Sequence, residues 1–327
     1  MKDCFSKLTV AALTVVGTMW VSSAYAGQIS PLFADADNKV KFENFENEIN
    51  VSGGTPGVAD VGDRLRGVLH ATTVKNLNTL ANAPLEPAIE LTGIFDVEIV
   101  KIETVGSDQV ITFGVSGAFD TGGDLDSIGG VDIAANTMIA LFQDTTPDFA
   151  STFADGTKTL SEVETAATNG KHLGSFGLGT GLSAPGDVGA AGNGYWFSVN
   201  ATPLFPSETD FLYGLTLLDD DPDSPLFKLT DTPLLNPELP GGASVPAGSH
   251  VLDNVKIFGT TFLDLVGKGQ TSANAGLGSQ RSDLYDIKSD DPAYTHPNPE
   301  PSSVVLFALG ALCGIPYLRR RRKNRVA

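Results

Sequence analysis

The chain has 327 residues, with 21 basic against 39 acidic side chains, a formal net charge of −18 and two cysteines. Such acidity argues against nucleic acid as a partner, because binding it needs a basic footprint. Cys4 and Cys313 both fall in terminal segments, so the stretch between them forms no disulfide and no cysteine-ligated zinc or iron–sulfur centre.

Met1–Ala26 has the parts of a secretory signal peptide. Lys2 and Lys7 form a charged start and Leu8–Val21 an apolar stretch. Ser22-Ser23-Ala24-Tyr25-Ala26 ends in Ala-x-Ala, so signal peptidase is expected to cut before Gly27. Cys4 precedes the apolar run, whereas a lipidated Cys would follow it.

Residues 27–282 read as an exported, β-rich body. Candidate strands are Val40–Phe45, Arg64–Val74, Ile89–Glu103, Val110–Phe119, Thr137–Gln143, Tyr195–Ala201, Phe211–Leu218, His250–Phe258 and Thr261–Val266. In the third, Ile89, Leu91, Phe95, Val97 and Ile99 alternate with Glu90, Thr92, Asp96 and Glu98, the period-2 pattern of a half-buried strand. The phase slips at Ile99–Val100, which predicts a β-bulge. In Val110–Phe119 the side chains of Ile111, Phe113, Val115 and Phe119 are expected inward, and the two strands form a hairpin through Gly106-Ser107-Asp108. Thr137–Gln143 and Phe211–Leu218 are apolar on both faces and suit central strands. One short helix is expected, where Thr159-Leu160-Ser161-Glu162 fits a capping box. Many short strands and frequent Gly and Pro predict an all-β sandwich of jelly-roll type. It is one domain, or two subdomains meeting at Gly170–Gly194, which holds nine glycines in 25 residues.

Residues 283–298 are rich in Asp and Pro and read as a polar spacer. After them come Pro299-Glu300-Pro301, then Ser302–Leu318 without a charge, then Arg319, Arg320, Arg321, Arg322, Lys323 and Arg325. The 17 apolar residues span about 26 Å as a transmembrane helix. The basic cluster keeps the end cytoplasmic and the body outside.

This order resembles the PEP-CTERM sorting signal. The box is Pro299, Glu300, Pro301 and Ser302, the span Ser302–Leu318, the basic stop Arg319–Arg325; Cys313 and Pro316 depart from a Leu-rich span. The resemblance covers residues 297–327. It implies recognition by an exosortase, an integral membrane protease that cuts near the box and releases the body to the cell surface or an exopolysaccharide matrix. Eight of the 21 basic and two of the 39 acidic residues lie in the two targeting segments, so the body carries 13 against 37, or −24.

No catalytic constellation is visible. Gly114-Val115-Ser116-Gly117-Ala118 fails as a nucleophile elbow at its fifth position, and there is no His-Glu-x-x-His and no P-loop. Asp120, Asp124 and Asp126 lie in a Gly-rich loop that offers oxygen ligands for Ca²⁺, set against a solvated-loop reading. Tyr195-Trp196 is a candidate sugar platform, set against a core tryptophan. The expected function is a non-enzymatic structural or adhesive protein of the surface or matrix, without cofactor. The alternatives are a calcium-assisted carbohydrate-binding module acting on exopolysaccharide and, third, an extracellular polysaccharide hydrolase.

Overall fold

The computed structural model describes residues 38–51, 53–55, 57–76, 79–83, 85, 89–105, 108–178, 195–200, 209–220, 265–273 and 283–295. The strands are β1 Asn38–Ile49, β2 Arg64–Asn76, β3 Asn82–Ala83, β4 Glu90–Val105, β5 Asp108–Val115, β6 Ser127–Ile128, β7 Val131–Asp132, β8 Thr137–Asp144, β9 Lys171–Gly177, β10 Tyr195–Asn200, β11 Thr209–Asp220, β12 Leu265–Ala273 and β13 Ile287–Thr295. Helices α1 Phe149–Ala154 and α2 Leu160–Thr168 lie between β8 and β9.

Eleven of the strands make one antiparallel sheet that closes into a barrel of eight, and β6 and β7 form a separate hairpin. The ring runs β4, β2, β1, β13, β12, β11, β10, β5 and back to β4. Two long strands are shared. One edge of β4 pairs with β8 through Glu90–Phe95 and then with β5 through Val97–Val105. One edge of β11 pairs with β10 through Thr209–Gly214 and then with β9 through Thr216–Asp220. Since β8 also pairs with β9, these two strands form a second bridge between β4 and β11.

Each ring strand sends apolar side chains into a common interior. Phe95, Val97 and Ile99 of β4 meet Phe113 of β5, Trp196 of β10, and Phe211, Tyr213 and Leu215 of β11. The alternation read in β4 is therefore that of a barrel wall, and the expected bulge is present as a register shift between Ile99 and Lys101. The other face of β4 is not solvated: Glu90, Thr92 and Asp96 are buried beneath a covering layer. Ile94, Ala140 and Phe142 point outward against Phe119, Leu125 and Ile133 of the segment after β5. Phe119 is thus buried outside the ring, beyond the end of its strand. Phe45 and Val68 pack under Phe149, Phe153, Val163 and Tyr285. Covered on both faces, β8 is buried from Thr137 to Gln143, as its two-sided apolar sequence requires.

Local rules account for the covering pieces. Thr159 and Glu162 form the expected capping box on α2, and the Thr159 backbone N–H holds the Glu162 carboxyl down to about 2. Helix α1 has no side-chain cap of its own; Glu90 of β4 accepts from the backbone N–H groups of Asp148, Phe149 and Ala150 at 3.2, 2.9 and 3.2 Å. Residues Gly129 and Gly130, at φ +61° and +76°, make the two-residue turn of the β6–β7 hairpin, where both central positions need the left-handed region.

Four expectations are corrected. The strands are joined in one closed sheet rather than in the two facing sheets of a sandwich, because alternation marks a buried face without fixing how a sheet closes. Among the described residues there are two helices, where one was expected in the body. Strands from both sides of Gly170–Gly194 interleave around one ring, so there is no division into subdomains there. The 283–298 spacer contains β13, which pairs with β1 along one edge and β12 along the other. His250–Phe258 and residues 261–264 lie outside the described residues.

Large rings fill the interior only because small residues stand opposite them. Gly67 pairs with Phe95, and a Cβ there would sit 2.4 Å from the Phe45 carbonyl oxygen and 2.8 Å from the Phe95 ring. Gly67→Ala is expected to lower stability by about 1–3 kcal/mol through overpacking, measured by urea unfolding. A chain ended at Asp286 leaves the edges of β1 and β12 unpaired and is expected to lose its cooperative thermal transition, followed by circular dichroism. A chain ended at His296 keeps the transition; equal melting of the two would return residues 287–295 to the role of a spacer.

Candidate functional site

The barrel interior is unequal around its circumference. Thr209 pairs with Thr271, Thr271 with Ser289, and Ser289 with Asn44. These residues thus form one lateral row across β11, β12, β13 and β1, and Glu46 follows two residues further along β1. The opposite wall carries Leu65, Leu69, Phe95, Phe113 and Trp196. Between them is a cavity of about 20 Å³. It therefore holds little more than one water at its present side-chain positions.

Asn44 Nδ2 donates to Ser289 Oγ at 2.9 Å. The Ser289 hydroxyl, accepting there, donates its own proton to Glu46 Oε1. Glu46 is only 3 % exposed, so a carboxyl group and its hydroxyl partner sit in the interior of the barrel. On the far wall the Trp196 ring lies 4.9 Å from Tyr213, 5.8 Å from Phe95 and 6.0 Å from Phe113, centroid to centroid. Tyr213 reaches over Gly267, its cross-strand partner, where a Cβ would come within 2.1 Å of the ring. The lining brings five aromatic rings and six polar side chains together around a space much smaller than a typical small-molecule site.

The sequence-predicted residues are not brought together. Asp120 accepts from the Asn136 N–H at 2.8 Å and Asp126 from the Gly122 N–H at 2.8 Å. Asp124 turns instead to the outer face of β2, where it meets Arg66 and, at 3.4 Å, Arg64. Arg66 also holds Glu164 of α2 through two bonds of 2.8 and 2.9 Å, and Arg64 holds buried Asp96. The three loop carboxylates are thus fasteners of the covering layer rather than a convergent oxygen cage. Trp196 is 7 % exposed and faces inward, so it offers no surface platform. The side chain of Tyr195, the sorting box Pro299–Ser302, the span 302–318 and Arg319–Arg325 lie outside the described residues.

Among the described residues, one group of acids brings its oxygens within 4.8 Å of one another: Glu90, Asp144 and Asp148. Its members already have protein partners. Glu90 caps α1, Asp144 accepts from Thr146 and Asp148 from Asn169. Burial pushes the Glu90 carboxyl up, opposed by the three N–H groups of α1. No helix of the described residues is long and apolar enough to cross a membrane. No protein-family model, curated protein or solved structure matches the chain.

Burial pushes the Asp124 carboxyl up, but Arg66 and Arg64 outweigh it and hold it below its ordinary value. The ion pairs therefore stabilise the fold above the unfolded carboxyl value of about 3.9, and this stabilisation is lost as pH falls through the lower folded value. Asp124→Asn is expected to cost about 1 kcal/mol or less near pH 7, because the side chain is 55 % exposed and screened. The difference from the parent should vanish near pH ~2 in urea melts. An equal difference at both pH values would show that the loop is held by something other than this charge.

Proposed function

We propose that the chain is an exported, exosortase-sorted protein of the cell surface or exopolysaccharide matrix, with a structural or adhesive role and no catalysis. The observation that carries this reading is the order of Pro299-Glu300-Pro301, the uncharged Ser302–Leu318 and the basic Arg319–Arg325, matched at the other end by the signal-peptide pattern of Met1–Ala26. Proline keeps the segment before the span from continuing as helix, which sets the box outside the membrane within reach of a protease there.

The body suits this life. A closed ring leaves few free edges, the feature through which β-proteins associate wrongly outside the cell. Its stability draws on a large interior and needs no disulfide, since residues 27–299 contain no cysteine. A body charge of −24 keeps copies apart and favours solubility. The last strand ends at Thr295, so three residues, 296–298, stand between the barrel and the box. Cleavage near the box would then release the barrel with hardly any tail and with β13 intact.

Intact-mass analysis of fractionated cells that naturally make the protein tests the reading. A surface or matrix product beginning at Gly27 and ending near Pro299 is the expected result. A membrane-bound product that keeps Arg319–Ala327 would replace sorting by permanent single-pass anchoring.

A further inference from the structure

The connection between β1 and β2, residues 50–63, folds back over one end of the barrel. Its Ala59 is buried and belongs to the interior apolar cluster with Leu65 and Ile99. Val51 and Val61 of the same connection are exposed. We propose that this segment is a lid latched by carboxyl groups, which acid tightens and neutral pH loosens.

Two acids at the rim hold the lid by its backbone. Asp63, fully buried, accepts from the Val51 N–H at 3.0 Å and from the Asp60 N–H at 3.1 Å. Glu48 of β1 accepts from the Gly57 N–H at 3.2 Å. The far end of the lid is tied to β4, where the Gly62 N–H donates to the Ile99 carbonyl and the Ile99 N–H to the Asp63 carbonyl, both at 2.8 Å. Gly53 and Gly62, near the two ends, have φ of +76° and +97° and open space where a Cβ would stand. Such positions absorb the backbone rotation that a hinge requires.

Acids crowd this rim. The charges acting on Glu48 are those of Asp63 and Asp60 in the lid and of Asp286 just before β13. Glu46 stands two residues back on the same face of β1, bound by Ser289. The bases of the adjoining strands are engaged elsewhere: Arg64 with Asp96 and Asp124, Lys288 with Glu43, and Lys101 with Glu103. Glu48 Oε1 is buried and has no hydrogen-bond partner among the described residues. Burial first, and then the charge of Asp63, push the Glu48 carboxyl up, against the opposing pull of the Gly57 N–H. A carboxyl raised in this way costs stability where it is ionised. The latch is therefore weakest above the folded value of Glu48. Its strength returns as pH falls through that value towards the ordinary carboxyl value of about 4.3, below which nothing further is gained. This is the opposite sign to Asp124.

Hydrogen exchange over residues 51–62 of the full chain, read by mass spectrometry and corrected for the intrinsic rate at each pH, tests the lid. Protection is expected to rise at least about twofold between about pH 7.5 and about pH 5. Glu48→Gln keeps an acceptor for Gly57 and should give protection that is high at both pH values. Constant protection in the parent would overturn the proposal, as would an equal rise in Glu48→Gln, which would assign the titration to another group. A parallel change in β8 would also overturn it, since the whole barrel rather than a lid would then be opening. Where Glu48→Gln fails to fold, Asp286→Asn serves: removing one repelling charge should move the rise to lower pH, and an unmoved rise would sink the idea. No outcome bears on the sorting reading, which is judged by mass and fraction alone.

Discussion

The ring exists because β13 is held between the first strand and the late strand β12. Its pairing with β1 joins residues about 245 positions apart, as in the contact of Asn44 with Ser289. Without that strand both neighbours would present open edges, and the interior would face water along one side. Everything described inside the barrel depends on this closure. The polar row runs across it, with Ser289 between Thr271 and Asn44.

A closure so distant in sequence had little local signature. Asp290-Asp291-Pro292 looks like a linker, and proline is rarely found within a sheet. The structure shows how it is accommodated. The ladder between β12 and β13 is interrupted where Pro292 and Asp291 would pair, and resumes at Asp290 opposite Gln270. On the other edge Pro292 stands opposite Lys41, next to the register shift between β1 and β2. The missing N–H therefore falls where pairing is already irregular. Strand β9 was hidden in a similar way, since Gly174 and Gly177 dilute its pattern within a glycine-rich stretch. Helix α1 was hidden because its cap, Glu90, comes from a strand nearly sixty residues earlier.

What was legible followed from local physics. Period-2 alternation located β4, β5 and the bulge at Val100; the capping box located α2; two-sided apolar composition marked β8 as central. The site was less legible, and for a different reason. Asp120, Asp124 and Asp126 have the spacing of a cation loop, but spacing carries no information about Arg64 and Arg66, which stand on another strand and claim Asp124. Trp196 was visible as the one indole of the body, while its direction was set by the ring. Glu46, Ser198, Thr209, Thr271 and Ser289 gave no signal at all. Each is an ordinary polar residue in its own strand, and only the register of four strands puts most of them in a row.

That register bears on why the row is there. A barrel interior serving stability alone is best filled with apolar groups, since a buried polar group costs about 1–3 kcal/mol when poorly paired and returns little even when satisfied. The wall formed by β2, β4 and β5 follows this rule, with Leu65, Leu69, Val97 and Phe113. The wall formed by β11, β12, β13 and β1 departs from it in the row Thr209, Thr271, Ser289 and Asn44, with Glu46 further along β1 and Asn38 near its start, while Leu215, Leu265, Ile287 and Val40 on those same strands are apolar. Random tolerance of polar residues would scatter them along the strands. Thr209, Thr271, Ser289 and Asn44 instead share one register across four adjacent strands, so this departure from packing rules is ordered by the pairing that closes the ring.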